Sequence, residues 1–337
     1  MTTPRTDWLS LTNEEAIEPD LPICDPHHHF WDRPDGRYFL DELLIDTGGG
    51  HNITETVFVE CSAMYRKDGP EKMRPVGETE FVQGIAAQSA SGMYGDTNVA
   101  AGIVGYADLR HGDEVTEVLE AHIAASRDRF RGVRNASSWD ASPEIGGYMN
   151  PPEGLLGDAG FRTGLAALQK LGLSFDAQVY HPQLNELVDL ARAFPDVTII
   201  LNHTGVPLGI GPYVGRDDEV AQVWRSGITE LAGCENVVMK LGGVGMPLGG
   251  HRWNERSAPP SSQELADGIS SYYNFAIETL GPDRCMFESN FPVDNQSTSY
   301  TVLWNAFKRV VKDFSASEKS SLFRDTARRA YRLPITY

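Results

Sequence analysis

The chain has 337 residues, and its 47 acidic and 29 basic side chains give a formal net charge of −18 at neutral pH. This acidic balance argues against nucleic acid and anionic membrane surfaces as partners, because both attract basic patches. The first twenty residues are polar and acidic, and no apolar run is long enough to span a bilayer, so we expect no signal peptide and a cytoplasmic protein.

Short apolar runs alternate along the chain with amphipathic segments of helical period. The predicted strands are 21–24, 56–61, 99–106, 130–133, 173–179, 197–201, 237–241 and 284–287. The predicted helices are 113–129, 161–171, 182–194, 218–232, 263–280, 300–311 and 317–331. Eight strands alternating with helices indicate an α/β protein with a (β/α)8 TIM barrel, and a doubly wound open sheet is the alternative.

Long irregular segments follow four of the predicted strands, whereas the connections from helix to strand are short. The long segments are 62–77, 135–160, 204–217 and 242–262. In a barrel, this asymmetry places the functional site on the face formed by the C-terminal strand ends. We expect residues 1–20 to form an N-terminal extension and residues 21–335 to form a single barrel domain.

The four cysteines show no Cys-x-x-Cys spacing, and three of them lie in or beside apolar runs that are predicted strands. They are Cys24, Cys61, Cys234 and Cys285. This pattern predicts buried free thiols in a reducing compartment.

The first predicted strand leads directly into Asp25, His27 and His29. Residues two apart on a strand point to the same face, so these three side chains can converge. Two imidazoles in such positions suit Zn²⁺ or a similar divalent ion. A polar strand end with no function is the alternative.

Further polar residues lie in or next to the other predicted strands. They are Glu60, Arg134, Asp176, Gln178, His181, His203, Lys240, Glu288 and Asn290. Polar groups at so many strand ends are costly to bury unless they meet at one polar site.

Three segments of the chain resemble the amidohydrolase superfamily, and within it the amidohydrolase-related (amidohydrolase 2) branch of lactonases, metal-dependent hydrolases and decarboxylases. They are 25–32 (DPHHHFWD), 202–205 (NHTG) and 287–292 (FESNFP). The resemblance spans essentially the whole chain. It implies a distorted barrel and a zinc or manganese ion bound by His27, His29 and a third histidine, His181 or His203. Some lactonases of this branch work without metal, and His181 is also placed to cap a helix.

The chain departs from the family at Asn290, where the family normally has an aspartate that activates water. An amide cannot accept a proton at neutral pH. We therefore expect Glu288, which shares a strand face with Asn290, or Asp25 to act as the general base beside Asn290.

Four residues are predicted to contact the substrate. Arg134 ends a strand and can bind a carboxylate bidentately, and Gln178, Glu60 and Trp139 complete the set, although loop aromatics are as often packing residues. We expect a metal-dependent hydrolase of a small lactone or amide, with or without a carboxylate. The alternatives are a metal-independent lactonase, a non-oxidative decarboxylase and, least favoured, a non-catalytic binding barrel. The expected partners are a small-molecule substrate and further copies of the chain.

Overall fold

The computed structural model describes residues 6–34, 36–126, 128–146 and 149–334, so the predicted extension and barrel are described only within these ranges. Residues 1–5, 35, 127, 147, 148 and 335 of those predictions lie outside the described residues. The strands are β1 (Pro22–His28), β2 (Trp31–Arg33), β3 (Gly36–Tyr38), β4 (Asn52–Val59), β5 (Asn98–Gly105), β6 (Phe130–Ala136), β7 (Ser174–Gln178), β8 (Ile199–Leu201), β9 (Val237–Leu241) and β10 (Cys285–Phe287).

The helices lie between the strands and after the last of them. They are α1 (Thr6–Leu9), α2 (Leu40–Thr47), α3 (Val76–Ser89), α4 (Val115–Ser126), α5 (Ala159–Lys170), α6 (Leu184–Ala193), α7 (Asp217–Ala232), α8 (Ser262–Leu280), α9 (Tyr300–Val310), α10 (Ala316–Ser320) and α11 (Thr326–Ala330). Among the described helices, none is both long and apolar enough to cross a membrane.

Eight parallel strands form one sheet in the order β1-β4-β5-β6-β7-β8-β9-β10. Strand order therefore follows chain order, apart from the small β2–β3 hairpin that lies outside this sheet. The structure confirms the (β/α)8 barrel as a single domain, and the doubly wound alternative is wrong because its strand order would reverse partway through the sheet.

Backbone hydrogen bonds between β1 and the segment after β10 close the barrel. The Asn290 amide donates to the His27 carbonyl at 2.9 Å, and the His29 amide donates to the Phe291 carbonyl at 2.8 Å. Below this seam, Asp25 accepts from the Ser289 hydroxyl at 2.6 Å and from the Tyr300 hydroxyl at 3.0 Å. The first and last strands are thus joined through both backbone and side chains.

The C-terminal segment covers the N-terminal ends of the strands. Arg328 pairs with Glu55 near the start of β4, and Thr326 donates to the carbonyl of Pro282 just before β10. An apolar cluster joins inward-facing side chains of six strands, such as Cys24 and Met286, to Tyr331 beside α11. The interior of the barrel is therefore a packed core, and its opposite face is left for the site.

The structure adds elements that the periodicity did not predict, namely α1, α2, α3 and the β2–β3 hairpin. The buried face of α3 includes Glu78 and Thr79, so its hydrophobic pattern is interrupted. The predicted helix 317–331 is also divided, because a π-helical turn, Ser321–Asp325, lies between α10 and α11.

The segment before β1 packs on the outside of α9. Lys308 donates to the carbonyls of Ile17 and Glu18 at 2.7 and 2.8 Å. All four cysteines are buried and free, as predicted.

We expect Asp25→Ala to lower the free energy of unfolding by about 3 kcal/mol, because it leaves the buried hydroxyl of Tyr300 and the buried amide of Ser289 without their acceptor. Chemical denaturation measures the change, with Asp20→Ala, at an exposed position just before β1, as the control. Equal stability of the two variants would show that the side-chain part of the seam contributes nothing.

Candidate active site and metal centre

Two histidines and one glutamate meet at the C-terminal ends of the strands. Oε1 of Glu288 lies 2.7 Å from Nδ1 of His203, and Oε2 lies 2.7 Å from Nδ1 of His27. His27 lies on β1, His203 follows β8 and Glu288 follows β10, and all three are almost fully buried. Each offers a ligand atom, and these atoms lie within 4.8 Å of one another.

The backbone around this cluster adopts conformations that non-glycine residues rarely take. His203, Thr204 and Asn290 have φ angles of +52°, +58° and +56°. Such strain costs free energy and is characteristic of functional sites, where the surrounding structure enforces it.

Two glycines directly after β9 make room for the cluster. A Cβ atom on Gly242 would lie 2.1 Å from Cγ of Glu288, and one on Gly243 would lie 2.8 Å from Cβ of His203. Gly243 also has a φ of +70°, which glycine adopts without strain. The Gly242-Gly243 pair therefore allows both side chains to reach the centre of the barrel.

A layer of buried polar groups lies next to the cluster. Nζ of Lys240 is 2.9 Å from Oδ2 of Asp176, 3.2 Å from Nδ1 of His27 and 4.0 Å from Oε2 of Glu288. Tyr331 donates its hydroxyl to the same Asp176 oxygen at 2.7 Å. The nearest carboxylate to Lys240 is thus Asp176, so the charge of Lys240 is shared between Asp176 and the cluster.

Arg134 and Glu60 form a second buried ion pair beside the cluster. Nε of Arg134 donates to Oε1 of Glu60 at 2.7 Å, and a terminal nitrogen donates to the Glu60 carbonyl. The other terminal nitrogen lies 3.4 Å from Nε2 of His27. Glu60 therefore fixes the orientation of the guanidinium group beside the histidines.

Burial is the main cause of the altered pKa values at this site. It lowers the pKa of His27 well below its usual range, an effect that the positive charge of Lys240 reinforces. Burial and the charge of Arg134 lower the pKa of His29 in the same way. Both imidazoles are therefore neutral at pH 7 and carry a nitrogen lone pair, the form that binds metals.

Glu288 is ionised despite its burial. Burial raises its pKa, but the interactions and hydrogen bonds with His203 and the positive charge of Lys240 outweigh this, so the pKa lies below its ordinary value. Its Oε2 atom is buried and has no hydrogen-bond donor of acceptable geometry among the described residues, although Nδ1 of His27 is close. A buried carboxylate oxygen without a donor is costly.

These residues fit a divalent metal ion. Two imidazoles and a carboxylate are a common ligand set for Zn²⁺, and the Glu288 oxygen without a donor would gain a partner. The charges of the buried groups around the cluster are also compatible with a bound cation. Two positive groups, Lys240 and Arg134, lie among three carboxylates, which are those of Glu60, Asp176 and Glu288. The structure does not bring His29 or His181 into this group.

A cavity of about 130 Å³ lies above the cluster and is lined by several predicted site residues. Its walls are His29, Trp31, Arg33, Cys61, Arg134, Gln178, His203, Met246, Asn290 and Val293. His29 donates from Nδ1 to the Val59 carbonyl at 2.8 Å, which leaves the Nε2 lone pair free to face a ligand. Oε1 of Gln178 is buried without a donor among the described residues.

Two other predicted site residues, His181 and Trp139, are not among the described residues that line this cavity. His181 accepts a hydrogen bond on Nδ1 from the Leu208 amide at 3.3 Å, packs on Tyr213 and borders a different surface pocket. Its position at the start of a helical turn favours the structural role. Trp139 is half-buried in the loop after β6, with its amide bound to Gln183.

Asp25 is buried below the seam, where four hydrogen bonds surround its carboxylate. Burial raises its pKa to about 6 despite those bonds. This environment favours a structural role over that of a base acting on substrate.

Sequence reasoning did not identify several of the groups that complete the site. Arg33, Met246 and Val293 line the cavity, but their residue types and positions gave no signal, because Arg33 ends a short hairpin strand and the other two lie in irregular segments. The role of Asp176 and Lys240 could have been found, since both were noted as polar residues within apolar strands.

The family model described as amidohydrolase matches residues 24–333. The chain belongs to the amidohydrolase family. A protein of Sinorhizobium fredii named uncharacterized protein y4mH is 35% identical over 93% of this chain and 99% of its own length. An L-fucono-1,5-lactonase of Burkholderia multivorans is 27% identical over 92% of this chain and 96% of its own length.

Solved structures share the fold of this chain. A crystal structure of an amidohydrolase from Burkholderia multivorans with bound HEPES has a TM-score of 0.71 and 25% identity, over 93% of this chain and 99% of that one. A structure described in the same words but with bound zinc has the same TM-score and 24% identity. The protein is an enzyme of the hydrolase type found in this family.

Asn290, where the sequence resemblance predicts an aspartate, is bound to a nearby acid. Its Nδ2 donates to Oδ1 of Asp294 at 2.9 Å, while the Gly245 amide donates to Oδ2 at 2.9 Å. Burial raises the pKa of Asp294 to about 8, although these hydrogen bonds lower it in part. The amide of Asn290 is thus fixed as a donor to Asp294.

The raised pKa of Asp294 predicts a pH-dependent stability. Between its ordinary pKa near 3.8 and the folded value of about 8, the folded state binds one more proton than the unfolded state, so stability falls as the pH rises. Asp294→Asn removes this contribution, and we expect its unfolding free energy to fall with pH less steeply than the parent's, by about 1 kcal/mol per pH unit between pH 5 and 7. Denaturation curves at several pH values measure the slope, and Asp68→Asn, at an exposed loop position, is the control. Parallel slopes for Asp294→Asn and the parent would contradict the prediction.

Proposed function

We propose that this amidohydrolase is a metal-dependent hydrolase of a small lactone, with an amide as the alternative substrate. The observation that carries the proposal is the cluster of two imidazoles and an ionised carboxylate beside a cavity that Arg134 and Gln178 line. The likeness to proteins named L-fucono-1,5-lactonase supports a cyclic ester as the substrate. A cytoplasmic location and self-association stay predictions.

His27, His203 and Glu288 would hold the ion. It would polarise the carbonyl group and lower the pKa of a bound water. We assign Glu288 to this ligand role, because both its oxygens face imidazole nitrogens and it is not among the walls of the cavity described above. The sequence-based assignment of Glu288 as general base is therefore the less favoured one.

The walls of the cavity would bind and orient the reactants. His29, with its Nδ1 fixed by Val59, would accept a hydrogen bond from the attacking water at Nε2. Arg134, held in place by Glu60, would bind an anionic group of the substrate or the developing negative charge on oxygen. Oε1 of Gln178, which lacks a donor among the described residues, would accept from a substrate hydroxyl.

Non-oxidative decarboxylation of a small carboxylic acid is the second candidate. It is favoured by Asn290, because a decarboxylation needs no hydrolytic water and therefore no base at that position. A metal-independent lactonase, in which the histidines alone polarise the carbonyl group, is the third.

A combined measurement of turnover and metal content tests these candidates. We expect the parent, purified without a tag, to hydrolyse members of a lactone panel and to contain about one divalent ion per chain. The double change His27→Ala and His203→Ala should remove the ion and lower kcat by about 10³-fold. His181→Ala is the matched control, because it removes a buried histidine outside the cluster and should keep the ion.

Each candidate gives a different result. Turnover of lactones without bound metal selects the metal-independent lactonase. Release of carbon dioxide from a panel of aromatic acids, with no turnover of lactones or amides, selects the decarboxylase. Equal metal content in the double variant and the parent contradicts the assigned ligands.

Arg134→Lys should raise KM for lactones that carry a carboxylate by about tenfold, with neutral lactones changed less than twofold. Lysine keeps the charge that balances Glu60 but loses the planar guanidinium fork. Steady-state kinetics on both substrate types measure this, with Arg131→Lys, at a half-buried position on the same strand, as the control. An equal loss for acidic and neutral lactones would contradict a role in anion recognition.

A further inference from the structure

A second cavity, of about 240 Å³, lies next to the first. His203 and Met246 border both cavities, so a molecule whose reacting group lies over the metal cluster can extend past them. The first cavity alone, at about 130 Å³, is smaller than most ligand sites, whereas the two together fall within the usual range of about 300–1,000 Å³.

The walls of the second cavity are mainly apolar. They include Val206, Leu208, Val220, Val244, Ile269 and Tyr273. His251 also borders it, and its ring is stacked on Trp253 at 4.2 Å. Asp217 lies at the exposed start of α7. Thr204 and Tyr272 add hydroxyl groups, but most of the wall is apolar.

The cavity is preformed. The loops after β8 and β9 are joined by a hydrogen bond from the Gly209 amide to the Leu248 carbonyl at 2.8 Å. They approach so closely that a Cβ on Gly209 would lie 2.5 Å from the carbonyl oxygen of Gly249. Met246 is flexible and half-buried, so it can move aside at the junction without any change in these loops.

We infer that the second cavity binds an unbranched alkyl or an aryl substituent on the substrate ring. This inference rests on the proposed lactone hydrolysis and narrows its substrate class to lactones with an apolar side chain. An engineered apolar cavity of about 150 Å³ holds benzene, so the volume here accommodates a side chain of about six carbons.

The test compares γ-lactones that carry no substituent or an alkyl chain of one to six carbons. In the parent, kcat/KM should rise about threefold for each added methylene group. Val220→Phe fills the cavity from α7 and should abolish this rise while leaving the unsubstituted lactone unchanged within twofold. Val223→Phe is the matched control, because it is the same substitution on the same helix at a side chain that is 43% exposed and borders another pocket.

A second variant and a binding measurement keep the result independent of folding and of turnover. Leu248→Asp places a charge on a half-buried loop wall and should reduce the chain-length effect as well. Calorimetry can compare 2-hexylcyclopentanone with cyclopentanone, because these ketones are not hydrolysed. We expect the parent to bind the hexyl compound at least 30-fold more tightly than cyclopentanone. In either variant this ratio should fall below fivefold.

The outcomes separate this inference from the proposed function. Tighter binding of the hexyl ketone without turnover of any lactone supports the cavity and contradicts lactone hydrolysis. Turnover of lactones with no dependence on chain length, and equal binding of the two ketones, contradicts the cavity alone. An equal effect of Val220→Phe and Val223→Phe also overturns the inference.

Discussion

The carboxylate of Glu288 is fully buried between the imidazoles of His27 and His203, and much of the surrounding structure accommodates it. An isolated buried carboxylate is strongly destabilising unless charges and hydrogen bonds compensate for its lost hydration. Lys240 lies 4.0 Å away and is itself neutralised by Asp176. The glycine pair after β9 and the strained backbone at His203 meet the same requirement. A side chain in place of either glycine, or a relaxed backbone at His203, would displace the carboxylate from its position between the imidazoles.

The barrel and its orientation could be predicted because they depend on local periodicity and loop length. The positions of His27 and His203 at strand ends followed from the same reasoning. The roles of Glu288 and Asn290 did not, because the prediction assumed that both continue the last strand and share one face. In the structure β10 ends at Phe287, and Asn290 has a left-handed backbone. Glu288 therefore faces the histidines, whereas the Asn290 amide faces Asp294.

Contacts between residues far apart in the sequence were the other limit of prediction. Tyr331 lies in a C-terminal segment whose pattern indicated an ordinary amphipathic helix, yet its hydroxyl donates to Asp176. Similarly, Asp25 alternates with His27 and His29 as a ligand would, but its partners are Ser289 and Tyr300. The periodicity of a sequence indicates which face of a strand or helix a residue occupies. It does not indicate which side chain from a distant part of the sequence contacts that residue.

The contact between Tyr331 and Asp176 has a consequence for synthesis of the chain on the ribosome. Asp176 pairs with Lys240 next to His27, so the polar interior of the barrel joins groups that emerge from the ribosome at very different times. Until Tyr331 has emerged, the N-terminal mouth of the barrel lacks its cover, and water has access to Asp176 and Lys240. Docking of this last helix therefore completes the cover over Asp176 and Lys240, and it can occur only after all eight strands of the barrel have been synthesised.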